Sequence, residues 1–161
     1  MQGRERGVRA HVRMLQPLFG LIAAVWLLRL ILAEAGSPPW IVRLTSVSVA
    51  AAAALFLAVL LIHFRGFGGY PSVVMSAFLL TAWEELLIVA AVAAAVFTGT
   101  TNIYTAPEYS MTIPDPRHVK HIYGHLTYGV GLGTLAGAAM GSLLLWLLRS
   151  LVPRQPSESS E

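Results

Sequence analysis

The sequence of 161 residues contains no cysteine, and only 12% of its residues are charged. Soluble domains usually carry about twice that charged fraction. Without cysteine the chain can form no disulfide, no thiolate metal site and no thiol nucleophile. Together with a hydrophobic content of 56%, these absences exclude a secreted disulfide scaffold, a nucleic-acid-binding protein and an ordinary soluble enzyme. They predict an integral membrane protein.

The hydrophobic residues fall in four long blocks, and a helix needs about 20 residues to cross a bilayer. The sequence therefore predicts an all-α, integral membrane four-helix bundle that forms a single domain over residues 1–161. Short segments rich in Gly or Pro, such as Gly36-Ser37-Pro38-Pro39, separate the blocks. The predicted helices are about 15–35, 41–64, 71–97 and 116–151, with a loop at about 98–115 and a disordered tail at 155–161.

Basic residues lie mainly at one end of these helices, which predicts their orientation. Three basic residues, Arg43, Arg117 and Lys120, lie at the other end. The first end has seven: Arg4, Arg6, Arg9, Arg13, Arg65, Arg149 and Arg154. By the positive-inside rule, both termini are expected in the cytoplasm and the loop 98–115 outside. A bacterial or archaeal cytoplasmic membrane is the expected location. Ala33-Glu34-Ala35 resembles a signal-peptidase site, but Arg29 interrupts the apolar stretch before it. We therefore expect the first helix to be retained.

Two adjacent glutamates, Glu84 and Glu85, fall near the middle of the third predicted helix. A carboxylate inside a membrane is costly and indicates a functional site by default. Arg29 on the first helix is the predicted partner, since a guanidinium can bind a carboxylate through two hydrogen bonds. Three readings stay open: an ion pair that fixes helix register, a carboxylate that handles protons or cations, or a helix placed differently in the membrane, with both glutamates nearer its surface.

Three histidines, His118, His121 and His125, recur at spacings that place them on one face of a helix. Such a face could hold a metal ion, with Glu108, Met111 and Asp115 as further ligands, or ligate a haem through one histidine. The alternative is an interfacial belt of polar and aromatic residues at the headgroups. Because the centre of the block 125–151 lies far from His125, the sequence predicts that this face and the glutamates do not meet.

Four glycines recur at every fourth position of the last predicted helix: Gly129, Gly133, Gly137 and Gly141. Small residues at this spacing allow another helix backbone to approach closely. We expect this glycine stripe to pack within the bundle, against Ala50–Ala54 on the second helix and Ala90–Ala95 on the third. The alternative is that it packs between the subunits of an oligomer.

The segment His125-Leu126-Thr127-Tyr128-Gly129 and the glycines after it resemble the last helix of small uncharacterised bacterial inner-membrane proteins with an H-x-x-Y-G-x-x-x-G pattern. The resemblance covers about 20 residues and implies a four-span fold without a known activity. Glu84-Glu85 and His125 also resemble motifs of the CAAX-protease-like intramembrane family. That family's arginine after the glutamate pair is replaced here by Leu86–Val89, and its third motif is missing, so we expect no proteolysis.

These features predict a non-enzymatic accessory or scaffolding subunit of a membrane complex. One alternative is a homo-oligomeric transporter or channel for protons or cations that uses Glu84 or Glu85. Another is a metal- or haem-binding protein that uses His118, His121 and His125. The expected partners are membrane lipid and either other membrane subunits or further copies of the chain, and no nucleic acid is expected.

Overall fold

The computed structural model describes residues 7–106, 115 and 117–152, and their regular structure is helical with no strand. The helices are α1 (Val8–Glu34), α2 (Pro39–Leu44), α3 (Val47–Phe64), α4 (Tyr70–Thr98), α5 (Val119–Gly124) and α6 (Val130–Leu151), with a π-helical turn (His125–Gly129) between α5 and α6. Four helical stretches are long and apolar enough to cross a membrane: 8–34, 39–64, 70–98 and 119–151. The prediction of an all-α chain with four such stretches is confirmed.

Two boundaries differ from the predicted ones. The first helix begins at Val8 rather than near residue 15, because Arg9 and Arg13 fit the exposed side of a helix whose other side buries His11. The second predicted helix is broken at Thr45 and Ser46. There the Thr45 hydroxyl donates to the backbone oxygen of Val42 at 2.9 Å, a local bond of the kind that competes with a regular helix.

The four long stretches form a bundle with α3 and α4 at its centre. Each of these two helices packs against both α1 and α6, whereas α1 and α6 make no contact with each other in the described residues. The main core lies between α1, α3 and α4 and includes Leu15, Ile22, Ala54, Leu80 and Val92. We call the end of the bundle near Thr98 and Val119 the loop end, and the end near Val8 and Leu151 the terminal end.

The glycine stripe packs inside the bundle, but not against the expected alanines. A Cβ placed at Gly133 would lie 2.6 Å from Cγ2 of Thr81, and one at Gly141 would lie 2.7 Å from Cγ1 of Val73. Gly129 faces Glu85 in the same way. The glycines therefore contact the first half of α4, together with Leu55 and Val59 of α3. The expected segments 50–54 and 90–95 were wrong, because α6 lies further toward the terminal end than the sequence suggested.

Gly133→Ala should destabilise the bundle by about 1–3 kcal/mol, because Thr81 has few rotamers with which to move out of the way. Gly131→Ala is the matched control, since no atom lies within 4 Å of a Cβ at that position. The control should be neutral or slightly stabilising. Unfolding in mixed detergent micelles measures both, and equal stabilities for the two variants would contradict the described packing.

Candidate functional site

The glutamates and the histidine face meet, contrary to the sequence prediction. Nδ1 of His125 lies 2.5 Å from Oε2 of Glu85, close enough for a hydrogen bond and an ion pair between the π-helical turn and α4. Both glutamates are buried, with Glu84 7% and Glu85 9% exposed. The His125 side chain is 27% exposed, so the site is a partly buried contact between acidic and imidazole side chains about midway along α4.

The prediction failed because it took the centre of the apolar block 125–151 as the depth of the membrane centre. The glycine contacts set a different register, in which Gly129 faces Glu85 and Gly137 faces Ala77. The last helix is thus displaced by about two turns toward the terminal end, roughly 10 Å. This displacement brings His125 to the level of the glutamates without any need for the loop to enter the bundle.

A second imidazole continues the contact toward the loop end. Nε2 of His121 lies 3.0 Å from Nε2 of His125, and the two rings stack with centroids 4.9 Å apart. The π-helical turn starts at His125, and such turns occur often at functional sites. Glu85, His125 and His121 thus form a continuous hydrogen-bonded chain, which we call the relay.

The third predicted histidine lies beside the relay rather than in it. His118 precedes α5 with a left-handed backbone (φ 52°), and its ring centroid is 5.9 Å from that of His121. Among the described residues, no group of three or more His, Asp or Glu side chains is arranged to hold a metal ion. Glu108 and Met111, the other predicted ligands, lie outside the described residues. Metal or haem binding at His118, His121 and His125 stays a prediction.

Asp115 positions the start of the relay through the backbone. Its two carboxylate oxygens accept hydrogen bonds from the N–H groups of Val119 and His121, each at 3.0 Å. Desolvation acts to raise the pKa of Asp115, but the backbone N–H groups of His121, Lys120 and Val119 outweigh it and hold that pKa below its usual value. The carboxylate is therefore ionised at neutral pH and fixes the first turn of α5.

Glu84 faces a different set of groups from its neighbour. Successive residues on a helix point about 100° apart. Glu84 and Ser48 of α3 both line a cavity of about 440 Å³ between α3, α4 and α6. Glu85 borders the same cavity. The two carboxylates therefore connect the relay to this cavity, which we call the lateral groove.

Arg29 and Tyr104 lie on the Glu84 side of the site. The guanidinium carbon of Arg29 is 5.4 Å from the centroid of the Tyr104 ring. Burial raises the pKa of Tyr104 to about 12, with Arg29 acting to lower it and Glu84 to raise it. The phenol is therefore neutral at physiological pH. The hydrogen bond of Glu85 is to His125, and the predicted role of Arg29 as partner of Glu84 or Glu85 stays a prediction.

Comparisons with known proteins add no assignment. No family model matches the chain, and neither the curated proteins nor the solved structures contain a match. The site is therefore interpreted from its own geometry.

Sequence reasoning missed two residues of this site, Ser48 and the backbone role of Asp115. Ser48 could have been suspected as a hydroxyl at the start of an otherwise apolar run, Val47–Ala54. Asp followed by Pro is a favourable start for a helix, but the hydrogen bond from the His121 N–H to Asp115 depends on a turn that spacing alone does not specify.

Asp115→Ala should loosen the first turn of α5, because the two backbone N–H groups lose their acceptors. Since folding lowers the pKa of Asp115, its stabilising effect is present above the ordinary Asp pKa and is lost as the pH falls through the lowered value. We expect faster hydrogen exchange at the Val119 and His121 amides in the variant. In the unaltered protein, exchange at these amides should become faster only when the pH falls below the usual range of carboxyl pKa values. Glu34→Ala, an exposed carboxylate elsewhere at the loop end, is the control. Unchanged exchange in Asp115→Ala would rule out this capping role.

Proposed function

We propose that this protein handles protons in a membrane, as a small transporter or channel that moves them between the loop end and a carboxylate pair inside the bundle. The observation that carries the proposal is the relay Glu85–His125–His121, with nitrogen and oxygen atoms 2.5 Å and 3.0 Å apart. Chains of Glu and His inside a membrane are the usual elements of proton pathways. Imidazole is suited to them because it accepts a proton at one nitrogen and releases one from the other.

The relay supports a stepwise transfer. A proton bound at Nδ1 of His121 gives an imidazolium, whose Nε2–H can transfer its proton to Nε2 of His125. His125 is then the imidazolium, and its Nδ1–H can transfer a proton to the Glu85 carboxylate. One proton has then moved to the interior. Each ring returns to its starting tautomer when its hydrogen moves back, from Nδ1 to Nε2 in His121 and from Nε2 to Nδ1 in His125.

The entrance to the relay fits this order of steps. Nδ1 of His121 is buried and has no hydrogen-bond partner among the described residues, so it can take up a proton without breaking an existing bond. Asp115 holds the backbone of the same residue at the loop end. With both termini in the cytoplasm, as the positive-inside rule predicts, protons would enter from the outer side.

Proton flux into liposomes carrying the purified full chain, read with an entrapped pH-sensitive dye under a potassium potential, tests the proposal. Glu85→Gln, His125→Ala and His121→Ala should each reduce flux by about tenfold or more, because each removes a group that must gain and lose a proton. Glu34→Gln is the matched control and should keep full flux, since that side chain is exposed at the loop end. Equal flux in Glu85→Gln and in the unaltered protein would refute the relay.

Imidazole rescue distinguishes a proton-carrying role of His121 from a structural one. Added imidazole should restore part of the flux to His121→Ala, since it can occupy the space that the ring leaves and carry the same proton. It should not restore flux to Glu85→Gln. If imidazole restores flux to neither His121→Ala nor Glu85→Gln, and the control Glu34→Gln has also lost flux, the variants are misfolded and the losses do not support a relay.

The predicted accessory role and the metal-binding role remain separate proposals, and one experiment gives a different result for each. Native mass spectrometry of protein extracted from its own membrane, with metal analysis of the same sample, distinguishes them. Defined heteromeric partners support an accessory subunit, and stoichiometric metal lost in His121→Ala supports metal binding. A metal-free homo-oligomer without other protein subunits is what the proton-handling proposal expects.

A further inference from the structure

The lateral groove combines an apolar surface with buried acidic groups at one end. Its walls include Ala52 and Phe56 of α3 and Ala136 and Met140 of α6, and these four residues are exposed. Glu84 and Glu85 lie at its end nearer the loop end, and both are buried. The groove thus opens sideways between α3 and α6, on a surface that faces lipid when the four stretches span a membrane.

The volume and lining of the groove restrict what it can hold. A cavity of about 440 Å³ falls within the range of sites for small organic ligands. An apolar body would replace lipid contacts along the groove at little cost. Carboxylates at its end favour a positive charge there, because a charge in an apolar region needs a partner of opposite sign. A wholly apolar acyl chain would leave the acidic end unmatched.

We propose that the lateral groove binds a lipophilic cation, an apolar molecule that carries one positively charged nitrogen or phosphorus, with its charge placed at Glu84 and Glu85. The proposal rests on the proposed proton-handling function and names the substrate class of that same site. Cation and proton then compete for one carboxylate pair. When the cation binds to a protonated carboxyl, the O–H bond breaks, and the proton leaves through His125 and His121 as the carboxylate pairs with the cation.

This arrangement couples two access routes to one site. The cation reaches the carboxylates from the membrane through the groove, and the proton reaches them from the loop end through the relay. Since the routes meet only at Glu84 and Glu85, occupation by one cation excludes the other. Exchange of a lipophilic cation for a proton is the expected overall reaction.

Binding of radiolabelled tetraphenylphosphonium to the purified full chain, measured by equilibrium dialysis in detergent, tests the proposal. This ion has a fixed positive charge, so its binding does not depend on its own protonation. We expect saturable binding that weakens as the pH falls and that releases protons into weakly buffered solution. Glu84→Gln should weaken binding by roughly tenfold or more. Tetraphenylborate, of similar size and opposite charge, should not compete.

A second pair of variants tests the groove without altering a charge. Ala52→Phe places a ring in the groove and should abolish binding of tetraphenylphosphonium, whereas Ala53→Phe, at the next exposed position but outside the groove, should leave it intact. Binding that is unchanged in both Glu84→Gln and Ala52→Phe, or that tetraphenylborate matches, would overturn the proposal.

His121→Ala separates failure of this proposal from failure of the proton relay. The variant should lose proton flux but retain tetraphenylphosphonium binding, since His121 does not line the groove. Flux without cation binding in the unaltered protein would contradict the lipophilic-cation proposal alone. Cation binding without flux would contradict the proton-handling function and leave a cation-binding groove.

Discussion

The close approach of α4 and α6 is the constraint on which the rest of the structure depends. Glycine at positions 129, 133, 137 and 141 removes the side chains that would otherwise hold the two helices apart. In a membrane the hydrophobic effect does not drive helices together, so contact of this kind must come from packing. Because Gly129 has no Cβ, Glu85 fits between the helices, where His125 can reach its carboxylate.

This packing explains how the bundle can contain the relay and the apolar lateral groove side by side. Glu84 and Glu85 are neighbours in α4 but point in different directions. Both border the lateral groove, and Glu85 is also hydrogen-bonded to His125 as the inner end of the relay. A buried carboxylate needs either a proton or a positively charged partner. The relay can supply the first and the groove the second, which is why the two proposals concern a single site.

The sequence predicted four long apolar helices because the length and composition of its blocks strongly restrict the alternatives. Blocks of about 20 apolar residues have few alternatives to spanning helices, and α4 at Tyr70–Thr98 agrees closely with the predicted 71–97. The candidate residues Glu85, His121 and His125 were also identified, since ionisable groups in such blocks are rare. Their connection was missed, because it depends on the register between α4 and α6. That register is set by contacts such as Gly133 with Thr81, and neither residue alone reveals it.

The most direct test of the account is the hydrogen bond between His121 and His125, which no other part of the structure could imitate. In protein labelled with 15N at histidine, NMR detects a through-bond coupling between two nitrogens only when they share a hydrogen. We expect a coupling between Nε2 of His121 and Nε2 of His125, whose separation is 3.0 Å. The absence of this coupling, with each imidazole showing the tautomer ratio of a histidine in water, would contradict the hydrogen bond between His121 and His125.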